Sequence, residues 1–163
     1  METWGVMVNS IADAVHLACK SPRFRIRLHT TNVEAFNFVC DVAMQLGNCT
    51  IAVDEIALYC SSHYMPEKLA RLIRLGRKAR PDLRIGGRTA FIGTTQRPSD
   101  IHNFILSQCK EWYIFQMHLP QHIAYLRGFV PQIEQAITLK QGEYLLWNPE
   151  NHQMKKPSSF TES

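Results

Sequence analysis

Two short stretches about forty residues apart carry the side chains best suited to chemistry. Thr50-Ile51-Ala52-Val53-Asp54-Glu55 is an apolar run that ends in two carboxylates. Phe91-Ile92-Gly93-Thr94-Thr95-Gln96-Arg97-Pro98 is an apolar run that ends in Thr-Thr-Gln. One carboxylate can hold Mg²⁺ through water while a second orients and deprotonates an attacking water. Phosphoryl transfer needs that division. On this reading Asp54 serves the metal and Glu55 the water. Gln96, with Thr95 beside it, hydrogen-bonds the water or a phosphate oxygen. The plainer reading is that each strand simply ends in solvent. A hydrolase or nuclease using Asp54 and Glu55 alone is a third. Adjacent strand residues point to opposite faces, so that pair works only if the strand has already ended.

The elements that must position these residues alternate. Asn9 or Ser10 can cap a helix with apolar positions Ile11, Ala14, Val15 and Ala18. Ser21-Pro22 ends it, because the residue before proline avoids the helical region. Phe24, Ile26 and Leu28 alternate with Arg23, Arg25 and Arg27, as in a half-buried edge strand. Thr31 and Glu34 have capping-box spacing. Val33, Phe36, Val39, Cys40 and Ala43 then predict a helix that stops at Gly47. Cys49 to Val53 and Thr89 to Thr94 read as strands buried on both faces. Pro66 opens a helix lined by Leu69, Leu72 and Ile73, and Pro81 to Gly87 reads as a loop. Ser99 opens another helix, with Ile101, Phe104, Ile105 and Gln108. Trp112 to Met117 reads as a strand, Pro120 to Arg127 as a short helix stopped by Gly128, and Tyr144 to Trp147 as a last strand. This alternation predicts an α/β domain over residues 1–150 with a largely parallel sheet. A polar, mobile tail is expected over 151–163. In such sheets ligands bind outside the carboxyl ends of the strands, where Asp54, Glu55, Thr95 and Gln96 fall.

Composition narrows the class. The 163 residues are 45% hydrophobic and 20% charged, as in an ordinary globular domain. No apolar run approaches the roughly 20 residues that span a bilayer. Met1 to Gly5 lacks the basic start of a secretory signal. Five scattered cysteines fit reduced thiols. A cytoplasmic location without a membrane span is therefore expected. Cys60, His63, His118 and His122 lack the tight paired spacing of zinc ligands. The net charge of +4 is unevenly spread: Lys68, Arg71, Arg74, Arg77, Lys78, Arg80, Arg84 and Arg88 crowd one segment. That segment suits an anionic partner such as nucleic acid or a nucleotide phosphate, or is a solvated helix face.

Within it, Arg74-Leu75-Gly76-Arg77 sits between Val53-Asp54-Glu55 and Thr95-Gln96-Arg97-Pro98. Ile114-Phe115-Gln116, Tyr125-Leu126-Arg127 and Gly142-Glu143-Tyr144-Leu145-Leu146-Trp147 follow. This ordered set, over about residues 20 to 150, resembles the HerA–FtsK group of P-loop ATPases, ring motors that pump DNA. The resemblance implies a RecA-like (ASCE) P-loop NTPase core. It makes Asp54 the Walker B metal-side aspartate, with Thr95 at the nucleotide. Glu55 becomes the catalytic glutamate and Gln96 the polar sensor. Arg74 or Arg77 becomes an arginine finger acting on a neighbouring subunit. It also implies ATP and Mg²⁺ as cofactors, DNA as partner and a homo-oligomeric ring for the complete protein. The stretch Arg80 to Arg88 is longer and more basic than the family's usual turn.

The chain departs from the family at one decisive place. No Gly-x-x-x-x-Gly-Lys-Ser/Thr occurs, so the core is expected to miss its first, Walker A strand. Gly86-Gly87-Arg88-Thr89 precedes a strand, whereas a phosphate loop follows one and opens a helix. Two expectations stay open: part of a DNA-translocating ATPase that is inactive by itself, or a non-catalytic remnant that binds DNA or a partner.

Overall fold

Residues 5–21, 23–76 and 88–155 are described in the computed structural model, and they form two compact units. The first unit gathers residues through Cys60 and from Tyr64 to Thr94. The second gathers Ser61–His63 and the chain from Thr95 onward. Together the elements make a mixed α/β fold with small sheets.

In the first unit, β1 (Val6–Val8) leads to α1 (Ile11–Lys20), and β2 (Ile26–Leu28) returns parallel to β1. Ser10 caps α1, its Oγ accepting from the Asp13 N–H at 3.1 Å. The sequence pattern did not predict β1, because three residues are too few to display a period. α2 (Val33–Leu46) follows. Its cap is Asn32, not Thr31: Asn32 Oδ1 accepts from the N–H groups of Glu34 at 2.8 Å and Ala35 at 3.0 Å. The expected capping box gives way to a side chain one residue later that reaches two orphan donors at once. Gly47 ends α2 at φ 62°, its N–H donating to the Ala43 carbonyl.

β3 (Cys49–Val53) and β4 (Thr89–Gly93) pair in parallel from Cys49↔Thr89 to Val53↔Gly93. Between them in sequence lies α3 (Glu67–Leu75). Asn37 of α2 caps it from outside, its Oδ1 accepting the Lys68 N–H at 2.8 Å. Leu69 and Leu72 of α3 and Phe36 and Cys40 of α2 are core residues of this unit. The Phe36 ring stacks on Tyr59 at 4.1 Å, and the Tyr59 hydroxyl donates to the Thr30 carbonyl.

β3 and β4 are not buried on both faces. Thr50, Ala52, Ala90 and Ile92 are exposed, Ile92 at 57%. Full burial of a parallel ribbon needs cover on each face. α2 lies against β3 and α3 against β4, while the alternate residues of both strands face outward.

The second unit begins with a 3-10 turn at Pro98–Asp100, then α4 (Asn103–Gln108). The helix expected from Ser99 therefore starts later. Ile101 is extended (φ −89°, ψ 154°), and His102 caps α4 through Nδ1, which accepts the Phe104 N–H at 3.2 Å. β5 (Trp112–Phe115), α5 (Pro120–Leu126), β6 (Tyr144–Asn148) and β7 (Gln153–Lys155) complete it. A core of Ile114, Ile123, Leu126, Val130, Ile133, Leu145 and Trp147 joins these elements. β5, β6 and β7 form an antiparallel meander. Instead of one largely parallel sheet, the described residues make two parallel pairs and this meander. β7 brings Gln153–Lys155 of the expected tail into the sheet; residues 156–163 lie outside the described residues. No helix among the described residues is long and apolar enough to cross a membrane.

Candidate functional site

β3 stops at Val53, so the alternation of strand side chains no longer governs Asp54 and Glu55. Glu55 adopts a left-handed backbone, φ 52° and ψ 72°, and opens a 3-10 turn over Ile56–Leu58. For a non-glycine residue this conformation costs on the order of 1–2 kcal/mol, so its surroundings must hold it. Ile56, 2% exposed, anchors the turn in the core. The Glu55 carbonyl accepts the Leu58 N–H at 3.0 Å. Asp54 is exposed and Glu55 half-buried.

Thr94, one residue past β4, meets this turn. Its hydroxyl donates to Asp54 Oδ1 at 2.7 Å and accepts the Glu55 N–H at 3.1 Å. The sequence reading singled out Thr95 and passed over Thr94. No local signal marks Thr94 over Thr95; only the β3–β4 register, continued one residue past Val53↔Gly93, brings residue 94 opposite residue 54. Thr95 is half-buried, and its Oγ1 accepts the Arg97 N–H at 3.0 Å. Gln96 is exposed. Arg97 lies 3.8 Å from Asp100, both well exposed.

Arg74 is exposed in the last turn of α3, where a cation complements the helix C-terminus. That turn adjoins the start of β4, because the Gly76 carbonyl accepts the Thr89 N–H at 2.8 Å. Asp54 and Thr94 sit at the other end of the same ribbon. At about 3.3 Å per residue, five-residue β4 separates the two ends by roughly 15 Å. Arg74 is therefore not gathered with the carboxylates of its own chain. Arg77, Lys78, the Pro81 to Gly87 loop and Gly86-Gly87 lie outside the described residues.

No protein-family model matches the chain, and no curated protein matches it. Solved structures do. The genome packaging NTPase B204 from Sulfolobus turreted icosahedral virus 2, in complex with AMPPCP, matches 98% of this chain and 75% of its own, at 16% identity and TM-score 0.77. The same NTPase with ATP-gammaS matches 97% of this chain and 75% of its own, at 15% identity and TM-score 0.75. The form with sulfate matches 98% and 76%, at 15% identity and TM-score 0.74.

The chain shares the fold of a viral genome-packaging NTPase.

Within that packaging-NTPase fold, the residues fit one expected cofactor and not the other. Mg²⁺ commonly keeps several waters and takes only one or two carboxylates, with substrate phosphates completing its shell. Asp54, exposed and fixed through Oδ1 by Thr94, suits such a role. Among the described residues no group of three or more His, Cys, Asp or Glu is placed to cage a metal. Nucleotide phosphates find no cradle in the sequence, which has no Gly-x-x-x-x-Gly-Lys-Ser/Thr. Asp54 would hold such a hydrated cation, and the sequence carries no Walker-type loop for the phosphates.

Proposed function

We propose that the chain is the hydrolytic portion of an ATPase of the DNA-packaging type, its phosphate cradle supplied by polypeptide outside it. The observation that carries this reading is a match over 98% of the chain to a genome packaging NTPase, with Asp54 and Glu55 leaving the carboxyl end of a parallel strand. Asp54 holds the Mg²⁺ side, Glu55 orients and deprotonates the attacking water, and Thr95 and Gln96 read the phosphate end. Arg74 or Arg77 neutralises charge in a neighbouring subunit's site. The distance along β4 between Arg74 and Asp54 supports action between subunits over action within one. The Walker B, sensor and finger assignments, the RecA-like core and the ring belong to this proposal.

The coding sequence upstream of Met1 tests it. An in-frame Gly-rich loop ending in Lys-Ser or Lys-Thr is expected. The longer product should hydrolyse ATP, and Glu55→Gln should lower its kcat by about 10²–10⁴-fold. The 163-residue chain alone should bind no ATP in the micromolar range. Absence of the loop, together with no nucleotide binding, sinks the reading. The missing loop motif also favours a second reading, a non-catalytic remnant that binds DNA or a partner. On that reading Asp54→Ala and Glu55→Ala change nothing, while Arg74→Ala and Arg77→Ala weaken partner binding or partner hydrolysis.

A further inference from the structure

We infer that Thr94 is the positioning residue that sets both candidate carboxylates, locking the Asp54 side chain and the left-handed backbone of Glu55 with a single hydroxyl. Four hydrogen bonds converge on this residue. Its N–H donates to the Val53 carbonyl at 2.9 Å, and its carbonyl accepts the Ile56 N–H at 2.8 Å. Its Oγ1 donates to Asp54 Oδ1 and accepts the Glu55 N–H. Every residue from Val53 to Ile56 is thus held by Thr94.

The hydroxyl chemistry is demanding. A hydroxyl has one proton and two lone pairs. The proton goes to a carboxylate oxygen at 2.7 Å, a charge-assisted bond. A lone pair takes the Glu55 N–H. Only a side chain that donates and accepts from one atom at this reach does both, which leaves threonine and serine. With Oδ1 engaged, Asp54 presents Oδ2 to a cation. The Glu55 N–H bond offsets the cost of the positive φ that turns the glutamate off the strand. A valine would keep the shape and lose both bonds.

The role toward a metal rests on the proposed function; the backbone role does not. The experiment separates them. In the isotope-labelled full chain, NMR follows the Glu55 amide and its left-handed backbone signature, while Mn²⁺ is titrated as the metal probe. Thr94→Val is expected to abolish the left-handed signature and raise Glu55 amide exchange at least tenfold. Mn²⁺ needed for half-maximal broadening around Asp54 should rise about tenfold, the scale of losing a residue that orients a ligand. Thr94→Ser should restore both readouts to within twofold. Thr94→Ala asks the same question if the valine variant melts early. Unchanged Glu55 backbone and exchange in both variants overturn the proposal and leave the metal reading standing. Absence of Mn²⁺ broadening in the unaltered chain defeats the metal reading, while a disturbed Glu55 in Thr94→Val upholds Thr94 as the lock.

Discussion

At the residue scale, burial sets the chemistry of the cysteines. Cys40 on α2 is fully buried, and desolvation, then the neighbouring Asp41 carboxylate, push its thiol up to about 12 from 9.0. The Cys49 and Cys109 thiols and the Tyr59 phenol are also raised, each chiefly by burial. Below pH 9 the Cys40 thiol is protonated folded and unfolded, so this contribution is fully present. Above it the unfolded chain releases a proton that the folded chain keeps. Stability therefore falls as pH rises from 9 toward 12, by up to about 1.4 kcal/mol per pH unit from Cys40. Urea midpoints at pH 8 and pH 10 measure the slope, and Cys40→Ala should flatten it. Exposed Cys19 should be alkylated first and Cys40 only on unfolding. Glu55 makes the complementary point. Its place after Val53 was legible from the apolar run that ends there, but its positive φ was not. That conformation is imposed by Thr94 and Ile56, which reach it from β4 and the core.

At the element scale, caps and faces divide the outcome. α2 is held at its start by Asn32, which satisfies two N–H groups. Asn32→Ala is expected to cost about 1 kcal/mol, and Thr31→Ala less than about 0.5 kcal/mol, both read from denaturant unfolding. Equal losses would return the cap to Thr31. The helical periods of α2 and α3 read correctly because one amphipathic face of each is buried, as at Phe36, Cys40, Leu69 and Leu72. β3 and β4 read only in part. Their apolar runs have the composition of doubly covered strands, yet which face receives cover depends on elements far away in sequence. Leu69→Ala should therefore cost about 2–5 kcal/mol, whereas Ile92→Thr should stay within about 0.5 kcal/mol. A large loss at Ile92 would mean that its face is covered in solution.

At the scale of the whole molecule, the charge distribution carries the testable claim about DNA. If the basic segment binds duplex DNA, affinity falls steeply as salt rises, because each neutralised phosphate releases counterions. Arg74→Ala should reduce the slope of log K against log salt by about 1, measured by fluorescence anisotropy. An affinity indifferent to salt removes DNA from the proposal. The sequence by itself determined the order of strands and helices from α1 to β6, the carboxylates after β3, the polar group after β4 and the want of a phosphate-loop motif. These are local properties: periods, turn residues and spacing. Only the tertiary structure decided that β5 joins an antiparallel meander, that Arg74 and Asp54 lie at opposite ends of one ribbon, and that Thr94 grips Asp54 and Glu55. Each depends on register between segments up to forty residues apart. Local propensity does not encode that register; packing of the alternate faces and pairing of backbone groups select it.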